Sequence, residues 1–233
     1  MERRLELSKE IEFFMAMQKV GENESCSSLA LEHGFYWGTI WEHGQNASLR
    51  QKRKDPNVLA ADDDIFIPEK VEKVVSKGTE AEHKFVRRGE PTKIKMQLLE
   101  NGEPRKDADY VFECDGELVN GKTDGEGILE QFVPGDAKSA KLYFKEMKEV
   151  HNLNIGSLDP HDLATGIAQR LKNCGFTFPG SVPKGMSAKE AFEDGKLGNK
   201  AMRALKNFQA QNELEATGKL DDATIAKFEE KCK

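Results

Sequence analysis

The hydrophobic pattern changes twice along the chain, and each change indicates a different kind of structure. Up to residue 68, apolar residues recur at helical spacing between two short extended stretches. From residue 90 to residue 157 they alternate with polar residues, which is typical of half-buried β-strands. From residue 158 onwards the helical spacing returns. The pattern predicts a multidomain α+β protein with units at 16–68, 90–157 and 158–233, an N-terminal extension at 1–15 and a charged linker at 69–89.

The first unit is predicted to follow the order β-α-α-β. A short strand comes first, and the next segment is a helix that Ser25 can cap and Gly34 can end. A second helix is expected from about Tyr36 to about Gly44. A charged loop then leads to the closing strand, which ends at Pro68.

The middle unit combines alternating strands with frequent turn dipeptides. Asn and Asp followed by Gly tolerate the positive φ angles of tight hairpins. The dipeptides are Asn101-Gly102, Asp115-Gly116, Asn120-Gly121 and Asp124-Gly125. They lack the alternating acidic pattern of a calcium loop, so turns are the favoured interpretation. Short strands joined in this way predict a small antiparallel β-sandwich of the immunoglobulin-like or prealbumin-like kind.

The last unit is predicted to be a bundle of three short helices. Asp221 or Asp222 is placed to cap the third of them. A long connection over residues 177–195 separates the first helix from the second, and an extra helical turn is expected within it around residues 188–192.

Composition and charge narrow the function classes. The chain has 233 residues, 33% of them charged, and a formal net charge of -6. This balance argues against a nucleic-acid binder, which needs a clustered basic surface, and against docking to an anionic membrane. No apolar run reaches the roughly 20 residues of a membrane-spanning helix, so no membrane insertion is expected. Glu6, Lys9 and Glu10 interrupt any signal-peptide core, so we expect assembly in the cytoplasm without a signal peptide.

The four cysteines are spread over the whole chain and form no CxxC pair. They are Cys26, Cys114, Cys174 and Cys232. Together with the expected cytoplasmic assembly, this spacing predicts four free thiols and no disulfide framework. Whether Cys174 and Cys232, which both lie near predicted helix ends, can pair stays open. No spaced ligand cluster suggests a metal site, and no cofactor is expected.

One stretch of the first unit carries a recognisable string. It reads Val20-Gly21-Glu22-Asn23-Glu24-Ser25-Cys26-Ser27-Ser28-Leu29-Ala30, followed later by Asp55-Pro56-Asn57-Val58-Leu59 and Ile65-Phe66-Ile67-Pro68. This combination resembles a LysM module, a family that binds N-acetylglucosamine-containing glycans in a shallow groove between two loops. On this chain the resemblance implies a groove lined by Asn23, Glu24, Ser25, Cys26, Asn57, Val58, Leu59 and Ala60.

The last unit carries a second and more specific string. It includes Ile167-Ala168-Gln169-Arg170-Leu171, Asp194-Gly195-Lys196-Leu197-Gly198, Phe208-Gln209 and Leu214-Glu215-Ala216-Thr217-Gly218. The string resembles the three-helix peptidoglycan-binding domain found beside cell-wall hydrolases. The resemblance implies glycan-binding positions at Asp194, Gly195 and Gly198. Ala201, where the family has Thr, and the long 177–193 segment depart from the family pattern.

The order of the three units resembles proteins encoded with contractile injection systems, among them type VI secretion, or with phage tails. We therefore expect a non-catalytic protein that binds peptidoglycan or another GlcNAc-containing glycan and docks such a machine to a wall. A contractile machine would deliver it to the periplasm or the exterior. The alternatives are a structural adaptor bound to tail-spike or baseplate proteins, and a secreted cargo with lytic activity. No nucleophile elbow, HExxH motif or phosphate loop is present, so no enzyme is expected.

Overall fold

The computed structural model describes residues 17–70, 76, 82, 92–100, 102–144 and 148–231. The chain divides into two compact units, one reaching to Asn57 and resuming at 61–157, the other combining Val58–Ala60 with the residues from Leu158 onwards. Helices and small antiparallel sheets both occur, as expected for a multidomain α+β chain. The predicted extension at 1–15 and most of the predicted linker at 69–89 lie outside the described residues. The division into three domains stays a prediction.

The N-terminal elements form a β-α-α-α-β order. They are β1 (Met17–Lys19), α1 (Cys26–His33), α2 (Trp37–Trp41), a 3-10 turn (Gly44–Asn46), α3 (Ala47–Arg53) and β2 (Asp64–Phe66). β1 and β2 pair antiparallel. The prediction of a charged loop after the second helix is wrong, because this stretch contains α3. Leu49 is the one buried apolar residue of α3, so the sequence of this helix shows almost no apolar periodicity.

The predicted caps of α1 are confirmed. The Ser25 hydroxyl accepts from the Ser28 N–H at 3.1 Å, and the Ser28 hydroxyl accepts from the Ser25 N–H at 2.9 Å. At the other end Gly34 adopts φ +71, the left-handed conformation that glycine reaches without a Cβ penalty. These caps place the buried Leu29 and Ala30 against the rest of the N-terminal core.

Two buried polar side chains hold α3 and its preceding turn to the strand β2. Asn46 is 1% exposed, and its amide donates to the Phe66 carbonyl at 2.9 Å while its oxygen accepts from the Phe66 N–H at 2.7 Å. Asp63 accepts from Arg53 Nε at 2.6 Å and Arg53 Nη2 at 2.9 Å, and from Lys52 Nζ at 2.9 Å. The charged sequence of α3 therefore serves a buried ion pair.

The middle of the chain is an antiparallel arrangement of two main sheets. The strands are β3 (Thr92–Gln97), β4 (Leu99–Glu100), β5 (Glu103–Pro104), β6 (Asp109–Cys114), β7 (Glu117–Lys122), β8 (Ile128–Val133), β9 (Ser139–Phe144) and β10 (Glu149–Asn154). One sheet has the order β10-β9-β6-β7, another pairs β3 with β8, and β4 pairs with β5. The shared core contains Tyr110, Phe112, Leu129, Val133, Leu142 and Phe144.

The Asp-Gly and Asn-Gly dipeptides do not all form turns. Asp115-Gly116 forms the predicted turn between β6 and β7, with φ of +49 and +82. The turn predicted at Asn120-Gly121 is wrong, because both residues lie inside β7. Gly121 is paired with Tyr110, and a Cβ at this glycine would lie 2.4 Å from the Tyr110 ring. The glycine therefore makes room for a buried ring.

The C-terminal unit is the predicted helical bundle. Its elements are α4 (Ala164–Asn173), a π-helical turn (Lys189–Glu193), α5 (Gly198–Gln211) and α6 (Asp222–Lys231). The extra helical turn expected around 188–192 is thereby confirmed. Its core contains Ile167, Leu171, Phe192, Leu205, Phe208 and Phe228.

Asp221 caps α6, which gives the helix a pH-dependent start. Its Oδ1 accepts from the Thr224 N–H at 2.8 Å, and hydrogen bonding by the side chain and main chain of Thr224 lowers the pKa of Asp221. Because the folded pKa lies below the unfolded value of 3.8, the stabilisation is complete above that value and is lost as the pH falls through the folded pKa.

We expect Asp221→Ala to lower the free energy of unfolding by about 1 kcal/mol at neutral pH. The difference from the parent chain should shrink as the carboxylate of the parent becomes protonated. Denaturant titrations at neutral and strongly acidic pH measure both values. Asp221→Asn, which keeps an acceptor without a charge, is the control. An Asp221→Ala deficit that is unchanged in acid would contradict the assignment.

The cysteines differ from the expectation of four free thiols. Cys26 and Cys114 are free and buried, but Cys174 is disulfide-bonded, so the expectation is wrong for Cys174. Cys232 lies outside the described residues. Cys174 follows α4 directly, and sequence spacing does not reveal which segments meet at a helix end. Because disulfides persist in oxidising compartments, the expectation of a reducing environment loses this support.

Candidate functional site

The first loop of the implied N-terminal groove is largely buried. Ser25 is 6% exposed, and Cys26 is fully buried, which raises the pKa of its thiol to about 12. The half-buried Glu24 carboxylate accepts from the Gly21 N–H at 2.7 Å. Asn23 is exposed at φ +58, and its carbonyl accepts from Lys138 Nζ at 2.6 Å. Most polar groups of this loop are therefore already used within the protein.

The second loop meets the first at one point. The Cys26 N–H donates to the Pro56 carbonyl at 2.9 Å, and the Ser27 hydroxyl donates to Asn57 Oδ1 at 2.7 Å. Asn57 itself is exposed. The next three predicted residues belong to the C-terminal compact unit, where Val58 is half-buried and Leu59 and Ala60 are buried.

The positions implied in the C-terminal unit form one turn between the π-helical turn and α5. Asp194 is exposed, and its N–H donates to the Lys189 carbonyl at 3.1 Å. Gly195 and Gly198 adopt φ of +73 and +76, and the Gly198 N–H donates to the Gly195 carbonyl at 2.9 Å. The two glycines therefore have a backbone role in entering α5, and Asp194 offers one exposed carboxylate beside them.

A groove that sequence reasoning missed runs along α4. It has a volume of about 390 Å³, and α4 and the following segment as far as Val182 form its walls. From the helix, Thr165, Ala168, Gln169 and Lys172 line it. These residues are spaced i, i+3, i+4 and i+7, which places them on one helical face. The predicted turn at residues 194–198 does not line this groove.

The opposite wall carries two aromatic rings that are fixed from behind. Phe176 meets the buried Phe208 edge to face, with ring centroids 5.7 Å apart and an interplanar angle of 88°. Phe178 meets the buried Phe192 in the same way at 6.1 Å and 88°. Rings anchored by such contacts lose little conformational entropy when a ligand binds. The groove thus combines rigid apolar faces with a few polar groups, which is the usual design of a small-ligand site.

Two sequence signals could have revealed the groove. Phe176 and Phe178 stand at alternate positions in a connection rich in Gly and Pro, and loops are a frequent location of binding residues. The residues of α4 that line the groove recur at helical spacing, and so do the buried residues of the same helix. Neither signal says that the two surfaces lie side by side, because that depends on how the connection folds back.

The comparisons with known proteins bear on this unit. Residues 165–228 match the family model of the peptidoglycan-binding domain. No curated protein and no solved structure matches the chain. The match confirms the resemblance of the C-terminal module and covers well under half of the chain. Both the α4 groove and the turn at 194–198 lie within the matched range.

Over the described part of the chain, no cluster of three or more His, Cys, Asp or Glu side chains could hold a metal ion. Within the same residues, none of the helices combines the length and the apolar character needed to cross a membrane.

Proposed function

We propose that the protein is a non-catalytic peptidoglycan-binding protein whose C-terminal unit contacts the wall through the α4 groove. The observation that carries the proposal is the match of residues 165–228 to the peptidoglycan-binding domain, since this range contains the groove. In this proposal the rings of Phe176 and Phe178 receive the apolar face of an amino sugar. Thr165 faces its hydroxyl groups, and Gln169, whose side-chain oxygen accepts from the Asp159 N–H at 2.7 Å, forms part of the groove wall.

An open groove of this size favours weak binding by a single module. Affinity depends on the rigidity and quality of the contacts more than on area, and a shallow site buries little of its ligand. A repetitive wall compensates for weak single contacts if a second module binds the same surface. The LysM-like N-terminal unit is the second module in this proposal, with the exposed Asn23 and Asn57 as its accessible polar side chains.

Delivery by a contractile injection system or phage tail remains part of the proposal. The disulfide at Cys174 supports an oxidising destination, such as the periplasm or the exterior. The order of the units along the chain supports the link to such a machine.

One observation favours a second candidate for the N-terminal unit. Ser25 and Cys26 are buried, and Lys138 already binds the Asn23 carbonyl. A loop with so few accessible groups suits a structural adaptor, which would bind a baseplate or spike protein and leave the wall to the C-terminal unit.

Sedimentation of the full chain with purified peptidoglycan sacculi tests the proposed function. We expect the parent protein to pellet with sacculi. Ala168→Trp, which fills the groove, should reduce the bound fraction about tenfold. Ala210→Trp, on the exposed surface of α5, is the matched control and should bind like the parent. Thermal unfolding of both variants verifies that they are folded.

The outcomes separate the candidates. A parent protein that stays in the supernatant would overturn the peptidoglycan proposal and favour the adaptor. Equal binding by the parent and Ala168→Trp would leave wall binding in place but remove the groove as its site.

A further inference from the structure

We infer that the α4 groove recognises a glycan unit that carries a peptide with a free carboxylate, and discriminates against the bare amino-sugar polymer. This inference rests on the proposed function and names its ligand class. It starts from the charge of the groove. Among the described residues that line it, Lys172 is the one charged side chain, and no carboxylate accompanies it.

Lys172 lies close to the other groups that line the groove. It shares one helical face with Thr165 and Gln169, and it precedes Phe176 by four residues in sequence. The ammonium, the amide and the rings therefore border the same space.

The ion pairs of the described residues do not engage Lys172. Other lysines form them, as Lys196 does with Glu190 at 2.7 Å and Lys227 with Glu230 at 2.6 Å. The Lys172 side chain is exposed, so its charge is available to an incoming anion. A positive group at a ligand site contributes more to specificity than to affinity. It strengthens the binding of an anion and does not strengthen the binding of a neutral ligand.

The chemistry of the wall supplies a matching ligand. A polymer of N-acetylglucosamine alone is neutral, whereas peptidoglycan carries peptides with carboxylates on alternate sugars. Stacking of a sugar on Phe176 and Phe178 would serve both polymers equally. An ion pair with Lys172 would serve the peptide-bearing polymer alone, and such an exposed pair adds a modest preference.

Calorimetric titration of the full chain with soluble fragments tests the inference. The probes are a peptidoglycan disaccharide oligomer with its peptides, the same oligomer with its peptide carboxylates amidated, and an N-acetylglucosamine oligomer of equal length. We expect the oligomer with free peptide carboxylates to bind about threefold to tenfold more tightly than either of the others.

Lys172→Gln should abolish that difference and leave the affinity for the N-acetylglucosamine oligomer within about twofold of the parent value. Lys200→Gln, the same change on the exposed surface of α5, is the matched control and should keep the preference. Lys172→Glu should reverse it by adding repulsion.

The failures of the inference and of the proposed function are distinguishable. Equal affinity of the parent for all three oligomers would overturn the inference and leave glycan binding intact. A preference that persists in Lys172→Gln would also overturn it. No binding of any fragment, together with no pelleting on sacculi, would overturn the proposed function itself.

Discussion

Replacing Asp63 with alanine is expected to lower the free energy of unfolding of the compact unit that contains it by about 3–5 kcal/mol. The carboxylate side chain is 3% exposed, and the Arg53 guanidinium that binds it through two N–H groups is 5% exposed. Removal of Asp63 takes away the carboxylate that accepts from these two N–H groups of the buried Arg53. The large cost comes from a buried positive charge that loses its carboxylate, since an intact buried pair contributes little net stability.

The neighbouring Asp64 provides the matched control. It forms an ion pair with Lys19 at 2.7 Å in which both side chains are about 60% exposed. Asp64→Ala should therefore change stability by at most about 1 kcal/mol. Urea unfolding followed by tryptophan fluorescence reports on both variants, because Trp37 and Trp41 lie in the same unit. Similar effects of the two substitutions would contradict the buried ion pair.

Replacing Gln209 with leucine is expected to destabilise the C-terminal unit by about 3–5 kcal/mol. This glutamine is fully buried at the centre of a small hydrogen-bond network. Its oxygen accepts from the Gly218 N–H at 2.8 Å, and its nitrogen donates to the Lys219 carbonyl at 2.8 Å and the Thr224 hydroxyl at 3.0 Å. Leucine would leave these groups without Gln209, at about 1–3 kcal/mol for each one that stays buried.

Gln211→Leu is the matched control for this change. Gln211 lies on the same helix but is exposed, so its replacement should alter stability by about 0.5 kcal/mol or less. Chemical unfolding monitored by circular dichroism at helical wavelengths compares the two variants. If Gln209→Leu unfolds at the same denaturant concentration as the parent protein, the turn at 217–219 does not depend on Gln209.

Much of the secondary structure could be predicted because it follows from local rules. Strand β6 places Tyr110, Phe112 and Cys114 inside, as the alternation at these positions predicts. Asp221 and Ser25 cap helices because a short polar side chain can reach the free N–H groups of a first turn. These signals depend on neighbours within a few residues, so the sequence alone contains them.

The features that could not be predicted depend on partners far away in sequence. Hydrophobic periodicity does not reveal α3. At position 53 an apolar residue would be expected, but the buried side chain there is Arg53, which forms an ion pair with Asp63. Asn120-Gly121 has the composition of a turn, yet Tyr110 on the paired strand determines that it is extended. The α4 groove likewise depends on the connection after Cys174 folding back beside the helix.

The disulfide at Cys174 makes the covalent mass of the protein depend on the redox conditions around it. Formation of the bond removes a pair of hydrogen atoms, and it requires an oxidant that reducing compartments keep scarce. Intact-mass analysis of protein taken from separate cell fractions, with thiols blocked at lysis, would therefore distinguish molecules that hold the disulfide from molecules that are still reduced. This mass difference can be followed without a tag on the protein or an antibody against it.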